Sequence, residues 1–236
     1  MGKSILALLA TFSMRIVLSL LLTLYFTISF AQNRTAQYIL QGGSHKPVLY
    51  KPSDDERRML QFLSFYTIHK YHKVDFANYL YVSFKRQRLY HIVEGEIEQA
   101  YIISGAKKGA GNTLGTNKTP VGLHSISEKF GDHVPKNGLI QGRKYTGKVA
   151  SVNRYNVDLP EDKITSRILW LKGEEPGINS GGVFDSFNRK IYIHGTSEEG
   201  LIGKLASDGC IRMRNNHVIA LYEYAFVGMK VLILEE

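Results

Sequence analysis

The chain has 236 residues, 44% hydrophobic and 22% charged, with a formal net charge of +9 from 30 Lys and Arg against 21 Asp and Glu. At roughly 150 residues per domain this allows one large domain, or one domain with an extension. The composition excludes a disordered chain, a collagen-like chain and a polytopic membrane protein. The basic balance fits an anionic partner such as nucleic acid, a lipid surface or an acidic cell wall. A single cysteine, Cys210, excludes an intrachain disulfide and a zinc site built on several thiolates.

The amino terminus reads as an export signal over residues 1–31. Lys3 and Arg15 are its charged residues, and Ile16 to Phe30 carries no charge. That stretch is short for a spanning helix, which needs about 20 apolar residues. Ser29-Phe30-Ala31 puts small residues at both ends of a tripeptide, so cleavage is expected after Ala31, with a retained anchor as the alternative. Export places Cys210 where cysteines are usually paired. A lone thiol there is incidental, bonded to another chain, or kept for its reactivity.

Residues 32–77 form an expected extension with one helix. Gln32 to Tyr50 is polar and reads as a linker. Ser53-Asp54-Asp55-Glu56 is a capping box whose acidic first turn suits the helix dipole. It opens a helix over Asp54 to Lys70, expected to pack on the outside of the main domain. From Tyr79 the pattern turns to period two. Tyr79–Phe84, Leu89–Val93 and Ile97–Ser104 predict an antiparallel meander. Gly105–Gly115 lacks the ending of a phosphate-binding loop and reads as a mobile loop. Thr119-Pro120-Val121-Gly122 leads into a strand over Leu123–Ser127. Asp132–Asn153 reads as loop-rich, with four glycines between Gly131 and Gly147. Strands follow at Arg167–Leu171 and Lys190–His194. Asn215 or Asn216 is a candidate cap for a helix over His217–Phe226, and Met229–Leu234 is a closing strand. Many short strands with turn signals indicate a mainly β sandwich or barrel with a few short helices.

The residues with chemistry lie near the carboxyl end. His194 ends a β-branched, aromatic strand and meets Gly195; Cys210 follows a polar turn, Ser207-Asp208-Gly209, and opens another apolar stretch. Cysteine catalysis needs a thiolate, and an unassisted thiol has a pKa near 8.5. A histidine within reach takes the proton, and a third group orients the imidazole. Two strands ending side by side bring His194 and Cys210 together. Backbone N–H groups at Gly209 can hold an oxyanion, and Ser207 and Asp208 can shape the turn or orient the histidine. Arg212 shares a strand face with Cys210 and suits a substrate carboxylate. It can equally be a surface charge, and Cys210 a small buried hydrophobe.

His194-Gly195-Thr196, with Ser207-Asp208-Gly209-Cys210-Ile211-Arg212-Met213 downstream, resembles the signature of the YkuD-type L,D-transpeptidases. Thr119-Pro120-Val121-Gly122 is similar to that family's Thr-Pro-x-Gly element. The resemblance covers about Asn78 to Glu236 and departs from the pattern at Asp208, where many members carry a second histidine. It implies a YkuD-like catalytic domain over 78–236. It implies peptidoglycan tetrapeptide stems as substrate, rather than nucleic acid as the anionic partner. Cys210 is then the nucleophile, His194 the base, and the Gly195 carbonyl the group that orients the ring. Gly209 and its neighbours form the oxyanion turn, and Arg212 and Thr196 hold the donor stem. The resemblance implies no metal and no organic cofactor, with carbapenem-type β-lactams as covalent inhibitors. It also implies a place in the periplasm or cell envelope, with membrane contact only through an uncleaved signal. Two alternatives use the same residues: an L,D-carboxypeptidase with water as acceptor, and a wall-binding module with a dead site.

Overall fold

The structure, a computed structural model, describes residues 50–159 and 163–236. The expected export signal and the first part of the extension lie outside the described residues. Tyr50–Glu236 clusters as one compact unit. Its first element, α1 (Asp54–Lys70), begins at the expected capping box: Ser53 Oγ accepts the Glu56 N–H, and the Glu56 carboxylate accepts the Ser53 N–H.

Ten strands follow: β1 (Asn78–Ser83), β2 (Arg88–Val93), β3 (Glu96–Ser104), β4 (Gly122–Phe130), β5 (Gly138–Gln141), β6 (Lys144–Val149), β7 (Ile164–Gly173), β8 (Tyr192–Thr196), β9 (Ile211–Met213) and β10 (Lys230–Leu234). A second helix, α2 (Asn215–Tyr224), separates the last two. The strands run β4-β10-β1-β2-β3-β9-β8-β7, and β7 pairs back onto β4. The sheet therefore closes on itself as an eight-stranded barrel, with the β5–β6 hairpin attached at β7. Two pairs are parallel, β1 with β10 and β8 with β9. The fold is mainly β, as expected from the spacing of short strands.

Alternation along β1 shows how both faces are used. Leu80 and Val82 join Leu169, Ile193, Ile211 and Val231 in the main core, which α2 completes with Val218 and Leu221. Tyr79 and Tyr81 face the other way and pack with Tyr90, Ile92 and Leu232 under Met59 and Leu63 of α1. The expected outer packing of α1 is thus what the chain does. Each fully buried aliphatic side chain contributes about 1.5–3 kcal/mol relative to exposure.

Two local expectations are corrected. Asp132–Asn153 is not loop throughout but carries the β5–β6 hairpin. Its signal was hidden because β6 is exposed along its whole length, so no period-two burial pattern exists there. Neither Asn215 nor Asn216 caps α2: the N-cap is Arg214, with no side-chain capping bond. The Asn215 side chain is buried and bonded elsewhere, and the Glu199 carboxylate takes the Asn215 N–H instead, at 2.8 Å.

Candidate active site

Strand β8 lies between β7 and β9. Its register sets Tyr192 opposite Trp170 and His194 opposite Ile168 on one side, and His194 opposite Arg212 on the other. Side chains alternate along a strand. Ile193 and Ile211 therefore enter the core, while Tyr192, His194, Cys210 and Arg212 share the opposite face. Cys210 immediately precedes β9 and continues its register, so that the Tyr192 N–H lies 3.4 Å from Cys210 Sγ. The face is a grid of two rows, Trp170–Tyr192–Cys210 and Ile168–His194–Arg212. A strand spacing of about 4.8 Å and a rise of about 3.3 Å per residue put the Cys210 and His194 Cα atoms ~8 Å apart, a span that a thiol and an imidazole close between them.

The imidazole is oriented by its own neighbour. His194 Nδ1 donates to the Gly195 carbonyl at 2.8 Å, a tautomer that puts the ring's lone pair on Nε2. Gly195 has no room for a side chain: a Cβ would meet the Thr165 carbonyl at 2.5 Å and Asn215 Oδ1 at 2.8 Å. Behind it Asn215 ties three segments together. Its Oδ1 accepts from the Thr165 and Ser166 hydroxyls at 2.7 and 2.6 Å, and its Nδ2 donates to the Thr196 carbonyl at 2.8 Å. A buried network with its members satisfied is rigid, and this one fixes the strand that carries His194.

The turn that carries Cys210 is held as tightly. Ser207 Oγ donates to the Cys210 carbonyl at 2.5 Å and accepts the Gly209 N–H at 3.2 Å. Gly209 has φ +128°, a backbone state that L side chains rarely adopt. Asp208 is exposed at the tip of the turn. Ser207 also bridges to Ala106 in the glycine-rich segment. The Ala106 N–H donates to the Thr119 hydroxyl of the Thr-Pro-x-Gly element at 3.0 Å. The segment expected to be a mobile loop is thereby anchored at its start to the Cys210 turn. Cys210 itself is partly exposed.

Two residues expected to hold substrate are placed differently. Arg212 does lie on the face of Cys210, but the residue is 1% exposed and its guanidinium pairs with the Glu198 carboxylate at 2.8 Å. Thr196 is fully buried and accepts the Glu198 N–H at 3.0 Å. Neither side chain opens to a bound peptide here. The reason is the Glu198 carboxylate, buried with them and also accepting the Leu159 N–H at 2.5 Å. An unpaired buried carboxylate is costly, so a cation is held beside it.

Beyond Tyr192 the upper row ends in an aromatic wall. Trp170 stacks on Phe187 at 4.0 Å and meets Tyr192 edge-on at 5.5 Å. The Arg143 guanidinium lies 4.5 Å from the Trp170 ring centre. Cys210 packs against this cluster. Among the described residues, no group of three His, Cys, Asp or Glu side chains could hold a metal ion. Among them also, no helix is long and apolar enough to cross a membrane.

Glu198 and Asn215 belong to the site and were not legible as such. Glu198 sits in an unremarkable polar run, Ser197-Glu198-Glu199-Gly200, and Asn215 looked like a helix cap. Their partners are 14 to 50 positions away in sequence, and a polar residue gives no local sign of such a contact.

Comparison with known proteins bears on the whole domain. Residues 77–233 match the family model of the L,D-transpeptidase catalytic domain. A Bacillus subtilis protein named "Putative L,D-transpeptidase YqjB" is 26% identical over 159 residues, 67% of this chain and 72% of that protein. Solved structures with similarity include an L,D-transpeptidase from Xylanimonas cellulosilytica, with 15% identity over 69% of this chain and 62% of that one, and a TM-score of 0.43. L,D-transpeptidase 3 from Mycobacterium tuberculosis, solved with a faropenem-derived adduct, has 14% identity over 67% of this chain and 60% of that one, and a TM-score of 0.43. The chain thus spans about three fifths of each of these solved chains. The match to the family model runs from before β1 into β10, through the whole barrel and both strands that carry the His194–Cys210 grid, and the chain belongs to the L,D-transpeptidase catalytic domain family.

Proposed function

We propose that this protein is an exported cysteine L,D-transpeptidase acting on peptidoglycan tetrapeptide stems. The observation that carries the reading is the shared face of His194 and the partly exposed Cys210, with Nδ1 of the histidine on the Gly195 carbonyl. That bond leaves Nε2 as the proton acceptor. The thiol proton passes to Nε2, and Sγ attacks the carbonyl between the diamino residue and the terminal D-alanine. The oxyanion is held by backbone N–H at the nucleophile turn. His194 returns the proton to the departing D-alanine amine, and a thioester to Cys210 remains. The side-chain amine of a second stem then attacks the thioester, giving its proton to His194, which passes it back to Sγ. The product is a 3→3 crosslink or another amide.

Within this reading Arg212 and Glu198 are a buried support for the lower row of the grid, and the stem lies on the upper row. Carbapenem-type β-lactams are expected to acylate Cys210. The amino-terminal segment is expected to deliver the domain to the periplasm or cell envelope.

The test is incubation with purified muropeptides and mass analysis of the products. Crosslinked dimers with loss of D-alanine support the transpeptidase. Tripeptide alone means that water is the acceptor. No change in the stems, and no acyl adduct on Cys210 with a carbapenem, overturns both enzyme readings in favour of a wall-binding module.

A further inference from the structure

The thiol has a neighbour that the His–Cys pair does not account for. Lys190 is held at φ +57° in the loop before β8, and its carbonyl lies 3.5 Å from Cys210 Sγ. A carbonyl oxygen at that distance accepts from a thiol and repels a thiolate. The Tyr192 N–H, 3.4 Å from the same sulfur, acts in the opposite sense. These two backbone groups oppose one another, so ionisation turns on the charges around them.

Arg189 is the cation adjacent to Lys190. It is half-buried, and its guanidinium is bound by three carbonyls: Asn112 at 2.7 Å, Gly111 at 3.3 Å and Lys118 at 2.6 Å. Among the described residues no carboxylate lies within ion-pair distance of it. Burial lowers its pKa, and the Cys210 thiolate acts on it in the opposite direction. The Lys118 carbonyl that accepts from Arg189 also faces Gly209, where a Cβ would lie 3.4 Å from it. One carbonyl therefore separates the guanidinium from the turn that carries Cys210.

We propose that Arg189 is a positioning residue for the nucleophile: its charge stabilises the Cys210 thiolate, and its planar fork clamps the Gly111–Lys118 loop against the nucleophile turn. The inference rests on Cys210 being the nucleophile, as argued above. It assigns the two tasks to separable properties of one side chain. A guanidinium reaches three carbonyls at once through its fixed donors; an ammonium keeps the charge but loses the fork. Other charged or titratable groups around the sulfur are His194 and Tyr192 on β8, Arg143 over Trp170, Asp208 on the exposed turn, and Arg212, which is paired with Glu198. Arg189 is distinct in facing the turn from the loop side with only carbonyls as partners.

The experiment is the rate of Cys210 alkylation against pH in the full protein, with neutral iodoacetamide. The chain has one cysteine, so the signal reports this thiol alone, and no stem peptide is needed. Loss of the effect is therefore distinguishable from failure of the transpeptidase reading, which is scored on muropeptides. In Arg189→Gln the midpoint is expected to rise by about one pH unit, the low end for loss of an opposite charge near a titrating group. In Arg189→Lys it is expected to stay near wild type, while turnover on stems falls several-fold because the loop is no longer clamped. Superimposable curves for Arg189→Gln and wild type overturn the electrostatic half. Wild-type turnover in Arg189→Lys overturns the clamp. If Arg189→Gln does not fold, the ratio of iodoacetate to iodoacetamide rates is compared in wild type and Arg189→Met. A nearby cation favours the anionic reagent, so an unchanged ratio also overturns the proposal. If Arg189→Met is unfolded as well, the midpoint in His194→Gln, which lacks the imidazole, decides: a value at or above about 8.5, that of an unassisted thiol, overturns the proposal, and one well below it supports it.

Discussion

Two histidines on the barrel are oriented in the same way and are otherwise unlike. His194 gives Nδ1 to the Gly195 carbonyl and shares its face with Cys210. His124, on β4, gives Nδ1 to the Gly122 carbonyl at 3.0 Å and has Nε2 3.0 Å from the Ser186 hydroxyl. Each is thus a histidine with a carbonyl behind it and a potential nucleophile nearby. The second pair is sealed: His124 and Ser186 are both fully buried, and burial pushes the His124 pKa down to about 4. Orientation of an imidazole is therefore a structural device as much as a catalytic one. What separates the stations is a thiol with an open side: Cys210 is partly exposed, whereas Ser186 is a fully buried hydroxyl.

The comparison is broken most directly at Cys210 and His194. Cys210→Ala is expected to abolish turnover on tetrapeptide stems with little loss of stability, since it removes a small, partly exposed side chain. His194→Gln is expected to lower turnover by roughly 10²–10⁴-fold. Steady-state rates with a melting curve on the same samples check both, and wild-type turnover in Cys210→Ala would refute the mechanism.

The next effect is on stability. Breaking the buried Arg212–Glu198 pair by Arg212→Met leaves an uncompensated carboxylate and is expected to cost about 3–5 kcal/mol. Lys107→Met removes one partner of the exposed Lys107–Asp158 pair, 43% and 51% exposed, and is expected to cost about 0–1 kcal/mol. Urea titrations distinguish these. Similar values would mean that Arg212 is not sealed against Glu198, and would restore its expected contact with the stem.

The sealed histidine gives a pH signature. Its folded pKa of about 4 lies below its ordinary value of 6.5. Between those values the unfolded chain binds a proton that the folded chain does not. Stability from this group is thus complete above pH 6.5 and is lost as pH falls toward 4, by roughly 3 kcal/mol in all. His124→Gln is expected to flatten that part of the curve, and an unflattened curve would place the pH sensitivity elsewhere. A comparable or smaller effect is expected at Ser186→Ala, about 1–3 kcal/mol for leaving a buried acceptor without its donor, with turnover unchanged. If that variant lost activity instead, the second station would not be merely structural.

How much of this was readable follows the range of each contact. α1 was legible to the residue because its capping box is local, and β1 to β3 because both faces of the meander keep a period of two. The β5–β6 hairpin was not, because positive φ at Asn137, Gly142, Arg143 and Gly147 and full exposure of β6 leave no burial pattern. His194 and Cys210 were identifiable from chemistry, and the parallel β8–β9 register then puts them on one face. The burial of Arg212 was invisible. Strand alternation gives its face correctly, but whether that face is open depends on Glu198, which arrives from a loop. Arg189 and Asn215 were overlooked for the same reason, since they bond carbonyls and hydroxyls far along the chain.

Closure of the barrel has a kinetic side. β10 is inserted between β1 and β4, so the barrel strand that comes last in sequence order completes a ring begun near Tyr79. Until Lys230–Leu234 is available, β1 and β4 each present an unpaired edge, the kind that recruits other chains. The loop closed by the β1–β10 pair spans most of the domain, and such distant pairings form slowly. A ribosome-bound chain cannot finish the barrel before Leu234 emerges. The interval before closure favours whatever holds the chain unfolded, and makes removal of β10 more harmful to folding yield than its five residues suggest.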